Sequence, residues 1–482
     1  MPDDSLPMPR TLLLFGATGD LAQRYLFPAL LRLHADGLLP PQLRIRGLAL
    51  SGHDDAGFAA VLRPRLAEAA PDAAVAAAID GLLARIDYRN VDLSEPAAVA
   101  AAVADVASAP CLSLLAIPPA LYPTTAQGLA EAGALTAPSR LMLEKPIGSD
   151  GASAEALLAQ IGSLIDEDRT YRLDHYLGKA AVQNLMALRF GNTLLEAVWN
   201  RNHIESVHIL VAESGGADGR NAYYARAGAL RDMIQSHILQ LLALVAMEPP
   251  TSLAADHIRD EKVKVLRSLR PLHPDSAAQL SLRARYAAGV IDGGRVPGYQ
   301  PPADSQAETF AAVTAHIDNW RWSGVPFHLV TGKRLPVRST QVVITFKPVC
   351  HWLFDNPGRG QATPNRITLQ LQPNENIRLG LMSSLAGPEW GALELQPLDL
   401  QLSVPTGQQR RIAYERLLLD ALAGNNALFV RADEVRAAWA WTDSVLAAWR
   451  EGGLAMGSYP AGQWGPRRAA AFLPPELPAT PQ

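Results

Sequence analysis

An apolar run at Thr11–Phe15 stops at Gly16, and over residues 21–33 apolar side chains return at helical spacing. Strand, glycine turn and helix in that order leave few folds open, because the turn must let the backbone reverse with almost no side-chain bulk. The connecting segment is Gly16-Ala17-Thr18-Gly19-Asp20-Leu21. In this context a G-x-x-G pattern has the features of a dinucleotide site. The glycines admit a pyrophosphate close to the backbone, and the helix N-terminus aims N–H groups at it. Asp20 also falls where a helix N-cap would stand. Apolar runs at 43–50, 112–117 and 140–144 alternate with helical stretches, which predicts an α/β Rossmann-type doubly wound parallel sheet. The alanine-rich segments 56–78 and 96–107 carry spaced leucine, isoleucine or valine and are read as helices on that sheet.

Beyond about residue 180 the texture changes. Alternating or β-rich runs occur at 203–212, 341–346, 366–371, 376–383 and 393–404, with helices expected at 179–190, 230–246, 414–423 and 432–450. The pattern predicts a β+α domain with a large, mainly antiparallel sheet. A chain of 482 residues exceeds one ordinary core, so two domains are expected, 1–178 and 179–482. The net charge is −4 and no lysine- or arginine-rich run occurs, which argues against nucleic acid as a partner. Cys111 and Cys350 stand in apolar stretches and are expected to be buried thiols in a reducing compartment. No apolar run approaches twenty residues, and the first ten carry Asp3 and Asp4 rather than a signal core, so no membrane partner and a cytoplasmic location are expected. No His, Cys or carboxylate spacing points to a metal.

The densest chemistry lies in Arg172-Leu173-Asp174-His175-Tyr176-Leu177-Gly178-Lys179. His175, Tyr176 and Lys179 can donate to a phosphate, each charge-assisted bond being worth about 1.5–3 kcal/mol when water is excluded. Asp174 would repel such an anion and needs another partner, such as a histidine that it orients. Around this octapeptide lie Glu144-Lys145-Pro146-Ile147-Gly148, Arg231-Asp232-Met233-Ile234-Gln235-Ser236-His237, Asn319-Trp320-Arg321-Trp322-Ser323-Gly324-Val325-Pro326-Phe327 and Thr331-Gly332-Lys333. With the Gly16 to Ala22 turn, these blocks resemble the glucose-6-phosphate dehydrogenase family almost from end to end.

That resemblance implies oxidation of glucose 6-phosphate at C1 with NADP or NAD as hydride acceptor, in a homodimer or homotetramer. Taking the anomeric hydroxyl's proton needs a base aligned with carbon and cofactor. The resemblance assigns that base to His237, with Asp174 orienting its ring and Lys145 contacting sugar and nicotinamide ends together. Such pairing is expected to raise the histidine above its usual value of about 6.5 and to make turnover rise with pH on the alkaline side of neutrality. His175, Tyr176, Lys179 and Lys333 are implied to hold the phosphate, and Glu213 and Asp232 the sugar hydroxyls. Gly16, Ala17, Thr18, Gly19, Asp20, Leu21, Ser51 and Lys145 are implied at the cofactor. The tryptophans of the 319–322 stretch and Trp464 are expected in the core.

The departures carry as much information. Leu50 stands where the family commonly has an arginine for the 2′-phosphate of NADP, and an aliphatic side chain cannot neutralise a dianion. Thr18, Ser51 and Arg24 remain as 2′-phosphate contacts, and Asp54 lies nearby, so weakened NADP preference is expected. Tyr25 replaces a lysine near the substrate, which is expected to raise the substrate KM. Ser236, Ile147 and Ala225 replace the usual asparagine, phenylalanine and aspartate. Two other activities fit the same motifs: dehydrogenation of a different hexose or hexose phosphate, and a catalytically lapsed paralogue that binds a nucleotide or sugar phosphate.

Overall fold

The computed structural model describes residues 7–218, 221–351, 364–384, 393–400 and 411–477, and it divides into two compact units. The first comprises Met1–Lys179, Pro250–Asp260 and Arg410–Arg436; the second comprises Ala180–Pro249, Glu261–Gln409 and Ala437–Gln482.

The first unit is built on β1 (Thr11–Phe15), β2 (Arg44–Ala49), β3 (Ile86–Asn90), β4 (Cys111–Leu115), β5 (Arg140–Glu144) and β6 (Thr170–Leu173), ordered β3-β2-β1-β4-β5-β6 and parallel throughout. β1 and β4 are buried at every position, as strands covered on both faces must be, and they read as unbroken apolar runs for that reason. β3 is a polar run of the same length, Ile-Asp-Tyr-Arg-Asn, and it pairs along β2 without an apolar signature. Asp54 caps the helix Asp55–Ala69, accepting from the Gly57 N–H at 2.7 Å, and Asp72 caps a separate turn at Ala73–Ala77. The helix expected over 56–78 is therefore two pieces, broken where Pro71 interrupts the chain.

The helix Ala413–Ala423 belongs to this unit's core, where Tyr414, Leu417, Leu418 and Leu422 pack with Leu30, Phe58 and Phe429. Each such side chain, fully buried, contributes about 1.5–3 kcal/mol. Its C-terminal carbonyls at Ala421 and Leu422 accept from the buried Arg140 guanidinium at 2.9 and 2.6 Å.

The second unit contains β7 (Ile204–Ala212), β8 (Ser281–Ala287), a small hairpin of β9 (Gly289–Ile291) and β10 (Gly294–Val296), then β11 (Phe310–Ala315), β12 (Phe327–Gly332), β13 (Ser339–Phe346), β14 (Arg366–Gln372), β15 (Asn376–Ser384), β16 (Leu393–Leu400) and β17 (Gly457–Pro460). Nine of them form one sheet, β16-β15-β14-β13-β7-β12-β11-β8-β17. It is mainly antiparallel, as expected; the exceptions are β12 on β7 and β17 on β8. The run expected at 393–404 is a strand to Leu400, and 401–404 lies outside the described residues. Leu210, Phe310, Val330, Tyr459 and Phe472 share one core cluster.

Two expectations about burial are corrected. Cys111 is buried, but Cys350 is exposed, four residues past the end of β13. Trp322 is fully buried, its indole N–H donating to the Ala246 carbonyl at 2.8 Å, whereas Trp320 is 95% exposed. Among the described residues no helix is long and apolar enough to cross a membrane.

Candidate active site

In the first unit the sheet order reverses between β1 and β4, the switch point at which open parallel sheets bind dinucleotides. Gly16 closes β1 at φ +79°, and a Cβ there would lie 2.3 Å from the Ala116 carbonyl oxygen. Only glycine fits. Its N–H donates to the Leu48 carbonyl at 2.8 Å, and the Gly19 N–H returns to the Gly16 carbonyl at 2.9 Å. Helical backbone then begins at Asp20, runs through a π-helical stretch at Ala22–Leu26 and continues over Phe27–Ala35. Tight turn, bare backbone and helix N-terminus thus stand together at the switch point, which fits a dinucleotide pyrophosphate.

The loop after β2 has little to offer a second phosphate. Leu50 is 69% exposed. The Ser51 and Gly52 N–H groups both donate to the Asn90 side-chain carbonyl, at 3.0 and 3.1 Å, and the Ser51 hydroxyl is engaged with that of Tyr88. Arg24 pairs with Asp20 at 2.6 Å, and Asp54 and Asp55 follow the loop. Asp20 is inside the helix in that pair, rather than at the cap position.

At the other end of the sheet, Glu144 of β5 is in register with Leu173 of β6, so Lys145 and Asp174 leave neighbouring strand ends. Burial pushes the Glu144 carboxyl up to about 8; Lys145 pulls it down and the charge of Asp174 adds to the push. The octapeptide forms a turn in which the Leu177 N–H donates to the Asp174 carbonyl at 3.0 Å and Asp174 Oδ1 accepts from the Tyr176 N–H at 2.9 Å. Lys179 Nζ lies 3.7 Å from the centre of the Tyr176 ring, and both residues are buried. A Cβ on Gly178 would stand 2.6 Å from the Ala413 carbonyl, so this glycine lets the turn press against the helix Ala413–Ala423. Tyr414 of that helix stacks on His175 at 5.9 Å and 11°, and its ring also meets that of Tyr25 at 5.8 Å.

In the second unit, parallel pairing of β7 with β12 puts Ala212 beside Gly332, and the next residues on each strand are Glu213 and Lys333. Lys333 Nζ donates to Glu213 Oε2 at 2.6 Å and lies 4.8 Å from the Tyr224 ring centre. Tyr224 is buried, and burial raises its phenol well above the usual range. Asp232 and His237 ride on a π-helix, Leu230–Ile238, that passes directly into the α-helix Leu239–Ala246. Wider π turns recur at functional sites, and here Asp232 accepts from the Tyr223 hydroxyl at 3.4 Å while His237 is almost wholly buried. One continuous α-helix was expected over 230–246. The 3.6-residue apolar period does not distinguish i→i+5 from i→i+4 bonding.

Four residues, three in the first unit and Glu308 in the second, had no role assigned from the sequence. Tyr414, Asn90, Tyr88 and Glu308 come from segments remote in sequence from the motifs they support, and no local spacing marks them. The Glu308 carboxylate accepts from the Leu230 N–H at 2.7 Å, at the start of the π-helix.

Comparison with known proteins finds matches over nearly the whole chain. The model for the glucose-6-phosphate dehydrogenase NAD binding domain matches residues 13–184, and that for the glucose-6-phosphate dehydrogenase C-terminal domain matches 186–476. The chain is 44% identical to the glucose-6-phosphate 1-dehydrogenase of Zymomonas mobilis over 480 residues, covering 96% of this chain and 97% of that one. Against the Mycolicibacterium smegmatis enzyme it is 43% identical, with 96% of each covered. Among solved structures, glucose-6-phosphate 1-dehydrogenase from Mycobacterium avium superposes with a TM-score of 0.83 at 33% identity, covering 99% of this chain and all of that one. A glucose-6-phosphate dehydrogenase in complex with its substrate glucose-6-phosphate gives 0.84 at 32%, covering 97% and 98%. With both family models matched in order and full-length relatives well above 30% identity, this chain belongs to the glucose-6-phosphate dehydrogenase family.

Proposed function

We propose that this chain oxidises glucose 6-phosphate at C1 to the 6-phosphoglucono-1,5-lactone, the entry reaction of the oxidative pentose phosphate pathway, and that it uses NAD at least as readily as NADP. Family membership over the whole chain supports the chemistry, and the Lys333–Glu213 pair at adjoining strand ends is the observation that carries the substrate side. A cation held beside a carboxylate suits a ligand that presents a phosphate and hydroxyls together.

A nicotinamide dinucleotide held at the Gly16–Leu21 turn would supply the hydride acceptor for C1. Everything else falls to the chain's own side chains. His237 takes the proton of the C1 hydroxyl as the carbonyl forms, and Asp174 orients the ring and stabilises the imidazolium. Lys145 contacts sugar and nicotinamide ends. His175, Tyr176, Lys179 and Lys333 hold the phosphate, and Glu213 and Asp232 accept from sugar hydroxyls. Gly16, Ala17, Thr18, Gly19, Asp20 and Leu21 cradle the pyrophosphate, with Ser51 near the adenosine ribose.

The cofactor preference rests on the loop after β2. Leu50 brings no charge, the backbone donors of Ser51 and Gly52 are spent on Asn90, and Arg24 is held by Asp20. A dianionic 2′-phosphate would find no free cation among these residues and two carboxylates, Asp54 and Asp55, close behind. A ribose 2′-hydroxyl meets no such penalty. Cytoplasmic location and a homodimer or homotetramer complete the proposal, the latter checked by sedimentation. Initial rates with glucose 6-phosphate and saturating NAD or NADP test the whole. Turnover with NAD at a catalytic efficiency equal to or above that with NADP is expected, and strict NADP dependence would sink the preference.

A further inference from the structure

We propose that Glu308 is a positioning residue for this reaction, anchoring the first turn of the π-helix that carries Asp232 and His237 and tying it to the strand segment that holds Lys333. Glu308 is 2% exposed and stands two residues before β11. Its carboxylate accepts from the Leu230 N–H at 2.7 Å, and its own backbone carbonyl accepts from the Ala229 N–H at 2.9 Å. Two successive donors at the start of the π-helix are thereby satisfied by one residue. Gly228, at φ +68° and ψ 173°, makes the break that turns both N–H groups toward Glu308. A Cβ on Gly228 would lie 2.7 Å from Glu308 Oε1, so glycine also leaves the space the carboxylate fills.

The segment behind Glu308 is itself fixed. Arg285 donates to the carbonyls of Ala307 and Ser305 at 2.8 and 2.6 Å, and the Ser305 hydroxyl reaches the Ala225 carbonyl at 2.8 Å. The next residue, Thr309, donates its N–H to the Ala284 carbonyl and accepts the Lys333 N–H, both at 2.9 Å. Glu308 and Thr309 therefore join the two parts of the proposed sugar-phosphate site within one unit: the helix with Asp232 and His237, and the strand end with Lys333. Burial raises the Glu308 carboxyl, and a neutral side chain can make the same bond to Leu230. Glutamine should thus replace it, whereas alanine leaves two ordering bonds with one and aspartate falls a methylene short.

The inference rests on His237 as the base. Four variants of the full chain separate the two ideas: Glu308→Gln, Glu308→Ala, His237→Asn, and Glu308→Ala with His237→Asn. Misplacing a reacting group by about 1 Å can cost on the order of 100-fold, so Glu308→Ala is expected to lower kcat roughly 10- to 100-fold. Its KM for the nicotinamide nucleotide should change little, and amide hydrogen exchange over residues 229–238 should speed up. Glu308→Gln should stay within about threefold of the unaltered enzyme, since it keeps the acceptor. With His237→Asn already present, Glu308→Ala should cost nothing further, because there is no base left to misplace. Wild-type kcat in a folded Glu308→Ala, or the same loss with and without His237, would overturn the proposal. A His237→Asn variant with undiminished kcat would instead overturn the base assignment. If Glu308→Ala does not fold, Glu308→Asp against Glu308→Gln makes the same comparison, with the loss expected in the aspartate variant alone.

Discussion

The Lys333 ammonium donates to the Glu213 carboxylate at 2.6 Å across the ends of two parallel strands, and this pair exists because β7 and β12 run the same way in a sheet that is otherwise mostly antiparallel. Antiparallel neighbours would have placed the two residues at opposite ends. Lys333→Ala removes one charge-assisted contact to phosphate, worth about 1.5–3 kcal/mol, so KM for glucose 6-phosphate should rise roughly 10- to 100-fold with a smaller change in kcat. Glu213→Gln keeps an acceptor for the ammonium and should raise KM by only a few-fold. Steady-state kinetics at saturating NAD decide the matter; an unchanged KM in Lys333→Ala would remove that lysine from the phosphate site.

Leu50 offers a direct handle on cofactor choice, because it projects into solvent from a loop whose backbone donors are already committed to Asn90. Leu50→Arg supplies a cation without disturbing those bonds. Catalytic efficiency with NADP should increase roughly 10-fold or more, the scale of one charge-assisted hydrogen bond, while that with NAD shifts by less than about threefold. Equal gains with both nucleotides would mean that position 50 does not face the 2′ position at all.

How far these features could be read beforehand depended on whether their cause was local. β1 and β4 announced themselves as unbroken apolar runs, and Gly16 as the turn between strand and helix, because burial on both faces and a positive φ each demand particular residues in sequence. β3, with its Ile-Asp-Tyr-Arg-Asn, and β11, with Phe-Ala-Ala-Val-Thr-Ala, carried no such mark: the first is too polar, and the second is alanine-rich and buried on both faces, so it shows no alternation. Among the candidate functional residues, Lys333, Glu213 and His237 were identifiable by resemblance to family motifs. Glu308, Tyr414 and Asn90 were not, since each acts through a partner brought near only by tertiary packing.

Tyr25 shows what such packing does to a departure from the family. Where the family commonly has a lysine, this ring, 47% exposed, meets Tyr414, which also stacks on His175. The substitution thus exchanges a cation for support of a proposed phosphate ligand. Tyr25→Lys should lower KM for glucose 6-phosphate by a few-fold, and Tyr414→Ala, which frees His175 on one face, should raise it by a similar factor. Substrate titrations of both variants at fixed NAD would show it; a rise in KM for Tyr25→Lys would mean that the aromatic support outweighs the charge.

His208 on β7 and His328 on β12 pair in register with ring centres 4.6 Å apart, and this sheet is predicted to lose stability in acid on their account. Burial holds His208 down at about 3, with the charges of His328 and Arg366 adding to the effect, and burial followed by His316 holds His328 at about 4. His328 Nδ1 lies 3.0 Å from the Thr314 hydroxyl, whereas His208 Nδ1 finds no hydrogen-bond partner among the described residues. Both rings are therefore neutral in the folded chain, while in the unfolded chain each takes up a proton near pH 6.5. Between those values the unfolded state binds more protons, so stability is full above about pH 6.5 and falls as pH drops toward 4, by up to about 1.4 kcal/mol per pH unit for each histidine. His208→Leu removes one of the two titrations without introducing a charge into the sheet. Its urea midpoint should fall less between pH 7 and pH 5 than that of the unaltered chain, and parallel declines would show that the acid sensitivity arises elsewhere.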